Sequence, residues 1–292
     1  MRCSKEIFRQ LSQNYLKFRN TARYCLGNLD GFDPNSLVAP KDMEELDKWA
    51  LTRLNVLSEK CLAAYGRYEF SAVTHAINDF CVVEMSNFYL DIIKDRLYCE
   101  ARDGVKRRSA QTALWLILDT MTKLMAPILA YTGDEIWQAM PHRSGDDVRN
   151  VLFNDMNGPF TVYALPDEAM AKWEQLIALR SDVNAVLEEV RAAKLIGKSL
   201  EAQITLWPEN AEAAAALDGL SGMDLAELFI VSGVTVAETA PANARRGVSF
   251  PGVSAAASEA PGVKCPRCWI HSTQSDADGL CPRCAQVVSF LR

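Results

Sequence analysis

Two pairs of cysteines near the C-terminus constrain the fold of this 292-residue chain more than any other feature. Cys265-Pro-Arg-Cys268 is followed, after twelve intervening residues, by Cys281-Pro-Arg-Cys284. Each Cys-x-x-Cys pair forms a tight turn that directs two sulfurs to one point, and the segment between the pairs brings the second turn to the first. The spacing therefore predicts one tetrahedral zinc site with Cys265, Cys268, Cys281 and Cys284 as its four ligands.

The predicted zinc ion is structural, because four protein sulfurs fill its coordination shell and leave no position for a bound water. Residues 262–292 are too few to bury a core of their own, so the metal would supply the folding energy of this segment. Two disulfides, or four ordinary thiols, are the alternatives that the sequence leaves open.

The other five cysteines indicate a cellular compartment. They lie in helical patterns, where a buried, reduced thiol is the usual state, at positions Cys3, Cys25, Cys61, Cys81 and Cys99. Reduced thiols are typical of the cytosol, so we expect a cytoplasmic protein. No apolar run approaches the ~20 residues of a membrane helix, and no apolar stretch of a signal peptide follows Met1, so no membrane partner is expected.

Apolar residues at helical spacing predict a bundle of antiparallel helices in the first half of the chain. Two residue pairs resemble capping boxes and predict helix starts, Asp42 with Glu45 and Thr132 with Glu135. The predicted helices cover residues 4–27, 42–66, 69–100 (as one helix or two), 109–125 and 132–140.

The first predicted helix combines an apolar stripe with a large excess of positive charge. Six basic side chains face a single acid, Glu6, within residues 1–27, a net of +5 in a chain whose net charge is −6. A solvated charged face is the alternative, but the near absence of compensating acids favours contact with phosphate. The stripe, which we expect to face the core, consists of Ile7, Leu11, Tyr15, Phe18, Ala22 and Cys25.

The second half of the chain has a different pattern. A loop-rich stretch with strand-like residues 160–164 precedes a helix over residues 168–195. Alternating patterns predict strands at 202–207 and 228–236 with an alanine-rich helix between them, which together form a small α+β module. Residues rich in Ala, Pro, Ser and Gly then predict a linker to the cysteine-rich segment.

The sequence thus predicts a mainly α fold, in which an antiparallel helix bundle is followed by a small α+β junction module and a four-cysteine zinc ribbon. The predicted domains are the bundle at 1–145, the junction module at 146–240, the linker at 241–261 and the zinc ribbon at 262–292.

The predicted ribbon has features of a nucleic-acid contact. It holds four basic and two acidic side chains, whereas the other residues hold 27 basic and 35 acidic ones. Arg267 lies between the first two cysteines and Trp269 follows them directly. An exposed aromatic ring on a basic module can stack on an unpaired base, with the arginine on phosphate. The alternative is that Trp269 packs beside the metal.

Five stretches of the chain, taken in order, resemble the C-terminal part of the bacterial isoleucyl-tRNA synthetases, which are class I aminoacyl-tRNA synthetases. Valyl- and leucyl-tRNA synthetases share the helix bundle, but the terminal finger with Cys-Pro-Arg-Cys-Trp favours the isoleucyl family. The stretches are Tyr15–Asp33, Ser86–Leu97, Ser109–Trp137, Lys194–Glu201 and Cys265–Trp269.

This resemblance implies that the bundle binds the anticodon stem and loop of an isoleucine-accepting tRNA and that the zinc ribbon folds back to the same region. RNA sequence is usually read on splayed, single-stranded bases, because side chains cannot reach into the narrow major groove of A-form RNA. The tRNA-contact residues that we expect are Arg19, Asn20 and Arg23 of the first helix and Arg267 and Trp269 of the ribbon.

The same resemblance implies that amino-acid activation lies elsewhere. That family holds ATP with His-x-Gly-His and Lys-Met-Ser-Lys-Ser motifs, and neither occurs in this sequence, which also offers no catalytic residues that we can assign. We therefore expect a chain that binds tRNA but is inactive alone, with ATP bound by a catalytic Rossmann domain that it lacks. The alternatives are a subunit of a split synthetase that acts with the missing catalytic half, a stand-alone zinc-containing RNA-binding accessory protein, or a scaffold that contacts protein only.

Overall fold

A computed structural model describes residues 4–220 and 222–290 of the chain. The chain divides into two compact units, Met1–Leu165 and Pro166–Arg292. The division therefore falls about twenty residues beyond the predicted boundary at 145, because residues 146–165 pack against the helices of the first unit. Within this segment, Tyr163 donates a hydrogen bond to the Val38 carbonyl (3.0 Å) and Asn157 donates one to Asp119 (2.5 Å).

The first unit is helical, as the sequence predicts. Between its third and fourth α-helices, residues Phe80–Tyr89 form a π-helix. Short 3-10 helices occupy Pro40–Asp42, Val151–Phe153 and Thr161–Tyr163. The α-helices are α1 (Lys5–Gly27), α2 (Glu45–Gly66), α3 (Phe70–Asp79), α4 (Leu90–Ile92), α5 (Lys94–Cys99), α6 (Val105–Met125) and α7 (Ala130–Ala139).

Helix α6 forms the centre of this unit, since every residue from Ser109 to Met125 is buried. It packs against α1, α2, α3, α5 and α7. A buried polar network adds directional contacts to this apolar packing. The Asp47 carboxylate of α2 accepts hydrogen bonds from Ser109 of α6 (2.5 Å) and from Tyr89 of the π-helix (2.7 Å). Satisfied buried polar groups of this kind fix one packing arrangement of the helices.

Both predicted capping boxes are wrong. Helix α2 begins at Glu45, with Asp42 still in a 3-10 turn, and the N–H of Glu44 donates to Ser109 of α6 instead of a local cap. Helix α7 begins at Ala130, so Thr132 lies inside it and its hydroxyl hydrogen-bonds Tyr15 of α1 (3.3 Å). In both cases a tertiary partner replaces the local hydrogen bond of a capping box.

The second unit contains one long helix, a small mixed sheet and the cysteine-rich segment. Its helices are α8 (Asp167–Ala192), α9 (Ala211–Gly219), α10 (Leu225–Phe229) and α11 (Pro282–Ser289), and its strands are β1 (Ala202–Pro208), β2 (Gly233–Val236), β3 (Arg245–Arg246), β4 (Val253–Glu259), β5 (Val263–Lys264) and β6 (His271–Ser272).

The larger sheet has the strand order β2-β1-β4-β3. Strand β1 pairs in parallel with β2 and antiparallel with β4, and β4 pairs antiparallel with β3. Helix α8 packs on β4 and α9 packs on β1. The strand predicted at 202–207 and the alanine-rich helix are thereby confirmed.

Two other predicted strands differ from the structure. Residues 160–164 contain the 3-10 helix Thr161–Tyr163 rather than a strand. Of residues 228–236, only Gly233–Val236 is extended, because α10 continues to Phe229 and ends at Ile230 in the left-handed conformation (φ 57°). Short apolar runs do not distinguish a strand from a helical turn by periodicity alone.

The structure departs most from the prediction at residues 241–261, which were predicted to be a linker. Residues Val253–Glu259 form strand β4, which pairs with β1 along seven residues and is buried from Val253 to Ala257. Asp182 of α8 holds the preceding turn by accepting the N–H groups of Val248 (3.1 Å), Ser249 (3.0 Å) and Phe250 (2.7 Å). The cysteine-rich segment is therefore continuous with the sheet.

Candidate metal centre and nucleic-acid contact surfaces

The four predicted ligand cysteines meet in one buried cluster. The Sγ atoms of Cys265, Cys268, Cys281 and Cys284 all lie within 4.8 Å of one another. The Sγ atoms of Cys268 and Cys281 are 3.6 Å apart. Zinc–sulfur bonds of about 2.3 Å in a tetrahedron place the sulfurs about 3.8 Å apart, so the cluster fits a four-coordinate ion. No disulfide joins these four cysteines in the structure.

Each Cys-x-x-Cys pair is placed by its backbone. In the first pair, the N–H of Trp269 donates to the Cys265 carbonyl (2.9 Å), and Trp269 takes a left-handed conformation (φ 69°) that closes the turn. In the second pair, Cys281 is the N-cap of α11, and Cys284 lies in the first turn of that helix. The turns are thus made by different local structures, a tight turn and a helix start.

Backbone N–H groups surround the first cysteine of the cluster. Burial alone would raise the pKa of the Cys265 thiol, but N–H groups of Cys268, Cys281 and Arg267 outweigh it and lower that pKa to about 6. A thiolate is the form in which cysteine binds a metal. The backbone N–H groups around Cys265 therefore stabilise negative charge on its sulfur, whereas burial raises the pKa of Cys268 and Cys281.

Gly262 allows the chain to enter the cysteine-rich segment. Its φ is +96°, and a Cβ at this position would lie 2.3 Å from the backbone carbonyl of Ser272. Only glycine combines this conformation with so close a crossing of two backbones. The crossing brings β5 and β6 into their antiparallel pair, Val263 with Ser272 and Lys264 with His271.

The cysteine-rich segment is tied to the sheet by polar contacts. The Glu201 carboxylate accepts the N–H groups of Gly197 (2.8 Å) and Lys198 (3.1 Å) and pairs with Lys264 (3.3 Å). The N–H of His271 donates to the Ser232 hydroxyl (2.7 Å). The conspicuous sequence stretch Lys194–Glu201 thus has a clear structural role, since it joins the end of α8 to the sheet and the cysteine-rich segment.

Arg267 and Trp269 differ in their surroundings. Arg267 is half-buried, and its Nη1 lies 3.6 Å from the Cys284 Sγ, so its charge stabilises a thiolate in the cluster. The Trp269 side chain is 51% exposed and lies outside the sulfur cluster. Lys198 places its ammonium 4.7 Å from the centre of the Trp269 ring, a cation–π contact that the sequence did not reveal. Lys198 is separated from Trp269 by 71 residues, so spacing gave no signal for this pair.

Helix α1 exposes the cations that the sequence assigns to RNA contact. Arg19, Asn20 and Arg23 are exposed, and within residues 4–220 and 222–290 none of the three forms a side-chain hydrogen bond or an ion pair. Arg9, in contrast, pairs with Glu6 at 2.7 Å. The two unpaired arginines lie about one turn apart on the helix, and both are exposed.

The apolar stripe of α1 is buried only over the second half of the helix. Phe18, Ala22 and Cys25 are buried as predicted. Ile7 is 42% exposed and Leu11 is 58% exposed, so their predicted placement in the core is wrong. Residues 4–14 are exposed throughout. Periodicity identifies the face of a helix but not how much of that face is covered.

No helix in the described part of the chain is both long enough and apolar enough to cross a membrane.

Comparisons with known proteins show a likeness to one part of the tRNA ligases. The family model described as the anticodon-binding domain of tRNA ligase matches residues 47–206. The chain is 43% identical to the isoleucine–tRNA ligase of Geobacter sulfurreducens over 296 aligned residues, which are 99% of this chain and 31% of that protein. Identity to the isoleucine–tRNA ligase of Brevibacillus brevis is 41%, again over 99% of this chain and 31% of the relative. The chain thus spans about a third of the length of these curated relatives.

Proposed function

The chain belongs to the family of tRNA-ligase anticodon-binding domains and resembles part of the isoleucine–tRNA ligases, and on that premise we propose that it grips the anticodon region of an isoleucine-accepting tRNA. The observation that carries the proposal is the exposed, unpaired pair Arg19 and Arg23 on α1, in a chain whose net charge is negative. Exposed cations without acidic partners break no ion pair when they bind phosphate, and their binding releases counterions from the RNA.

The proposed grip combines phosphate contacts with base contacts. Arg19 and Arg23 contact the RNA backbone, and the exposed Asn20 amide, which lies between them in sequence, donates to or accepts from a splayed base. Trp269 offers a ring for stacking, with the Lys198 ammonium over part of its surface. Stacking is compatible with the half-exposed state of the ring.

We further propose that the four cysteines hold one structural zinc ion. Four thiolates in a tetrahedral arrangement suit zinc, which needs no redox chemistry and no open coordination position for this role. When bound, the ion crosslinks the turn at Cys265–Cys268 to the start of α11 and supplies folding energy. Arg267 stabilises the negative charge of the sulfurs from one side.

Amino-acid activation is proposed to belong to another part of the ligase. The sequence holds neither the His-x-Gly-His nor the Lys-Met-Ser-Lys-Ser motif through which the synthetases bind ATP, so this chain alone would bind tRNA without activating isoleucine. Cys25, Cys61, Cys81 and Cys99 are buried and form no disulfide within the described residues, which favours action in the reducing cytoplasm, whereas the thiol of Cys3 lies outside the described residues.

Titration with labelled tRNA tests the proposal. The purified, zinc-loaded chain is titrated into an isoleucine-accepting transcript and into a transcript for another amino acid, at several salt concentrations. We expect binding that weakens as salt rises and that favours the isoleucine-accepting transcript. In parallel, ATP–pyrophosphate exchange with isoleucine should stay at background. Failure to bind either transcript in dilute buffer would remove tRNA binding from the function, and exchange activity would overturn the assignment of activation to another part of the ligase.

A further inference from the structure

A group of three arginines, Arg102, Arg107 and Arg108, surrounds the turn that follows α1. Arg108 is the fixed member, because its Nη1 donates to the Gly31 carbonyl (3.0 Å) and to the Gln111 side chain (2.9 Å). Its Nη2 pairs with Asp103 at 2.6 Å. Arg108 therefore holds the turn against the start of α6, and its own charge is already compensated.

Arg102 lies directly over the same turn. A Cβ on residue 31 would come 2.7 Å from the Arg102 Nη2, and the φ of Gly31 is +66°, a backbone conformation that favours glycine. Arg102 is exposed and, within the described part of the chain, forms no hydrogen bond or ion pair. Its guanidinium lies near the turn, and the side chain is exposed to solvent.

Of the three arginines, Arg107 has the positive charge that is least compensated by hydrogen bonds and nearby acids. It is half-buried, and its Nε is buried without a hydrogen-bond partner. Burial, followed by repulsion from Arg108 and Arg102, lowers the pKa of Arg107. Asp30 and Asp103 act in the opposite direction, but Asp103 is already paired with Arg108. Guanidinium groups this close to one another repel, so a bound anion lowers their electrostatic energy.

This group is continuous with the surface of α1. The Asn28 carbonyl, just beyond the end of α1, accepts a hydrogen bond from Gln111 of α6 (2.8 Å). One turn earlier, the Tyr24 hydroxyl donates to the Leu90 carbonyl (3.0 Å) and also interacts with Tyr98, whose side chain is 59% exposed. The end of α1 that carries Arg23 is thus packed against elements on either side of the connector between α5 and α6, which carries Arg102.

We propose that Arg102 and Arg107, which lie around the turn that Arg108 holds, bind a backbone phosphate of the same RNA that contacts α1. The proposal rests on the proposed tRNA binding and extends the contact surface from α1 to the connector between α5 and α6. A guanidinium matches a phosphate through two parallel N–H···O bonds, which an ammonium cannot make. Within the described residues neither arginine forms an ion pair, and a phosphate would add negative charge to what Asp30 and the already paired Asp103 provide near Arg107.

The test compares Arg102→Ala, Arg107→Ala and Arg107→Lys with the wild-type full chain by tRNA titration across a salt series. We expect each alanine variant to lower tRNA affinity about fivefold to tenfold at low salt and to reduce the salt slope by about one. Arg107→Lys should restore the slope but only part of the affinity, because it keeps the charge and loses the paired donors. The melting temperature should stay constant or rise, since removing a partnerless charge relieves repulsion.

Arg149→Ala is the matched control. It removes one positive charge from the same unit, but Arg149 is paired with Asp147 at 2.5 Å, so its loss should change tRNA affinity little. Wild-type binding with an unchanged slope in Arg102→Ala and Arg107→Ala would overturn the phosphate site and leave the proposed function standing. A lowered melting temperature with unaltered tRNA affinity would likewise overturn it, since Arg107 would then be structural. Absence of tRNA binding by the wild type would refute both.

Discussion

Trp269 shows how one residue serves both the fold and a proposed contact. Its backbone closes the first cysteine turn with a left-handed φ of 69°, while its side chain points outward and meets Lys198. The ring therefore is not part of the metal cluster. Its half-exposed face is a surface on which an unpaired base can stack, and the nearby ammonium adds attraction for a phosphate.

We predict that Trp269→Ala lowers tRNA affinity by about 1–3 kcal/mol while zinc content and thermal stability change little. Alanine keeps the Cβ that clashes at a left-handed φ, so the change chiefly removes the ring. Trp269→Phe keeps an aromatic face and should retain most of the affinity. The measurements are tRNA titration and metal analysis of the same preparations. Loss of zinc with unchanged RNA affinity would show that the ring only supports the turn.

At the scale of single elements, α1 is divided into two halves. The half from Phe18 onward is held in the bundle, whereas residues 4–14 are exposed on every side in the described structure. We predict that Phe18→Ala, which empties a fully buried site, lowers the free energy of unfolding by about 3 kcal/mol or more. Leu11→Ala, at a 58% exposed site on the same stripe, should change it by less than about 0.5 kcal/mol.

Urea unfolding of both variants, followed by far-ultraviolet circular dichroism, measures this difference. Equal losses of stability in the two variants would contradict the exposure of the first half of α1. Ala22→Ser, a small polar change at a buried position of the same helix, serves as a check that the buried half responds to modest changes.

Helix periodicity predicted most elements correctly but missed those set by tertiary contacts. The helices at 4–27 and 168–195 appear within a few residues of their predicted bounds as α1 and α8. The stretch 69–100 reads as helical, yet its middle is a π-helix, which the sequence pattern does not distinguish from α-helix. Its Tyr89 is placed by the buried Asp47, a partner 42 residues away, so no local signal could reveal it.

Strand β4 was missed because its sequence lacks the usual signal of a strand. Val253-Ser-Ala-Ala-Ala-Ser-Glu259 has one β-branched residue and three small alanines. Its extended form is stabilised by pairing with β1 on one side and β3 on the other, and by α8 packed on it. Small side chains that look like a linker in sequence allow a helix and a strand to pack closely.

The sequence predicted the cysteine cluster but not all of the proposed phosphate-contact surface, and the reason is physical. Metal ligands are local in sequence, because each Cys-x-x-Cys turn is self-contained, and all four cysteines met as predicted. The phosphate-contact surface depends on which cations lack partners, and partners come from distant residues. Lys198 beside Trp269 and Arg102 over Gly31 are such cases, since both contacts join residues about 70 positions apart.

On the scale of the whole molecule, the cysteine cluster is built into the second unit. Strands β5 and β6 join it to the sheet through Lys264 with Glu201 (3.3 Å) and His271 with Ser232 (2.7 Å), and Ala260 donates its N–H to the Glu201 carbonyl (2.8 Å). All of these residues lie within Pro166–Arg292. Loss of a metal from the cluster should therefore affect the sheet as well as the cysteine turns.

We predict that removal of zinc by a strong chelator unfolds the cysteine-rich segment and loosens the adjoining sheet, while the helices of Met1–Leu165 stay folded. Without the ion, the turns of the segment lose the crosslink that compensates for its small core, and in small zinc domains that crosslink supplies about 10 kcal/mol or more of folding free energy. Hydrogen exchange measured by mass spectrometry should show lost protection at Cys265–Cys284 and around β1 and β4, with α6 unchanged.

Cys284→Ser should reproduce the pattern without chelator, whereas Cys61→Ser, which replaces a buried cysteine of the first unit, should leave zinc binding intact. Protection that is unaltered after complete loss of metal would show that the cluster folds through its protein contacts alone.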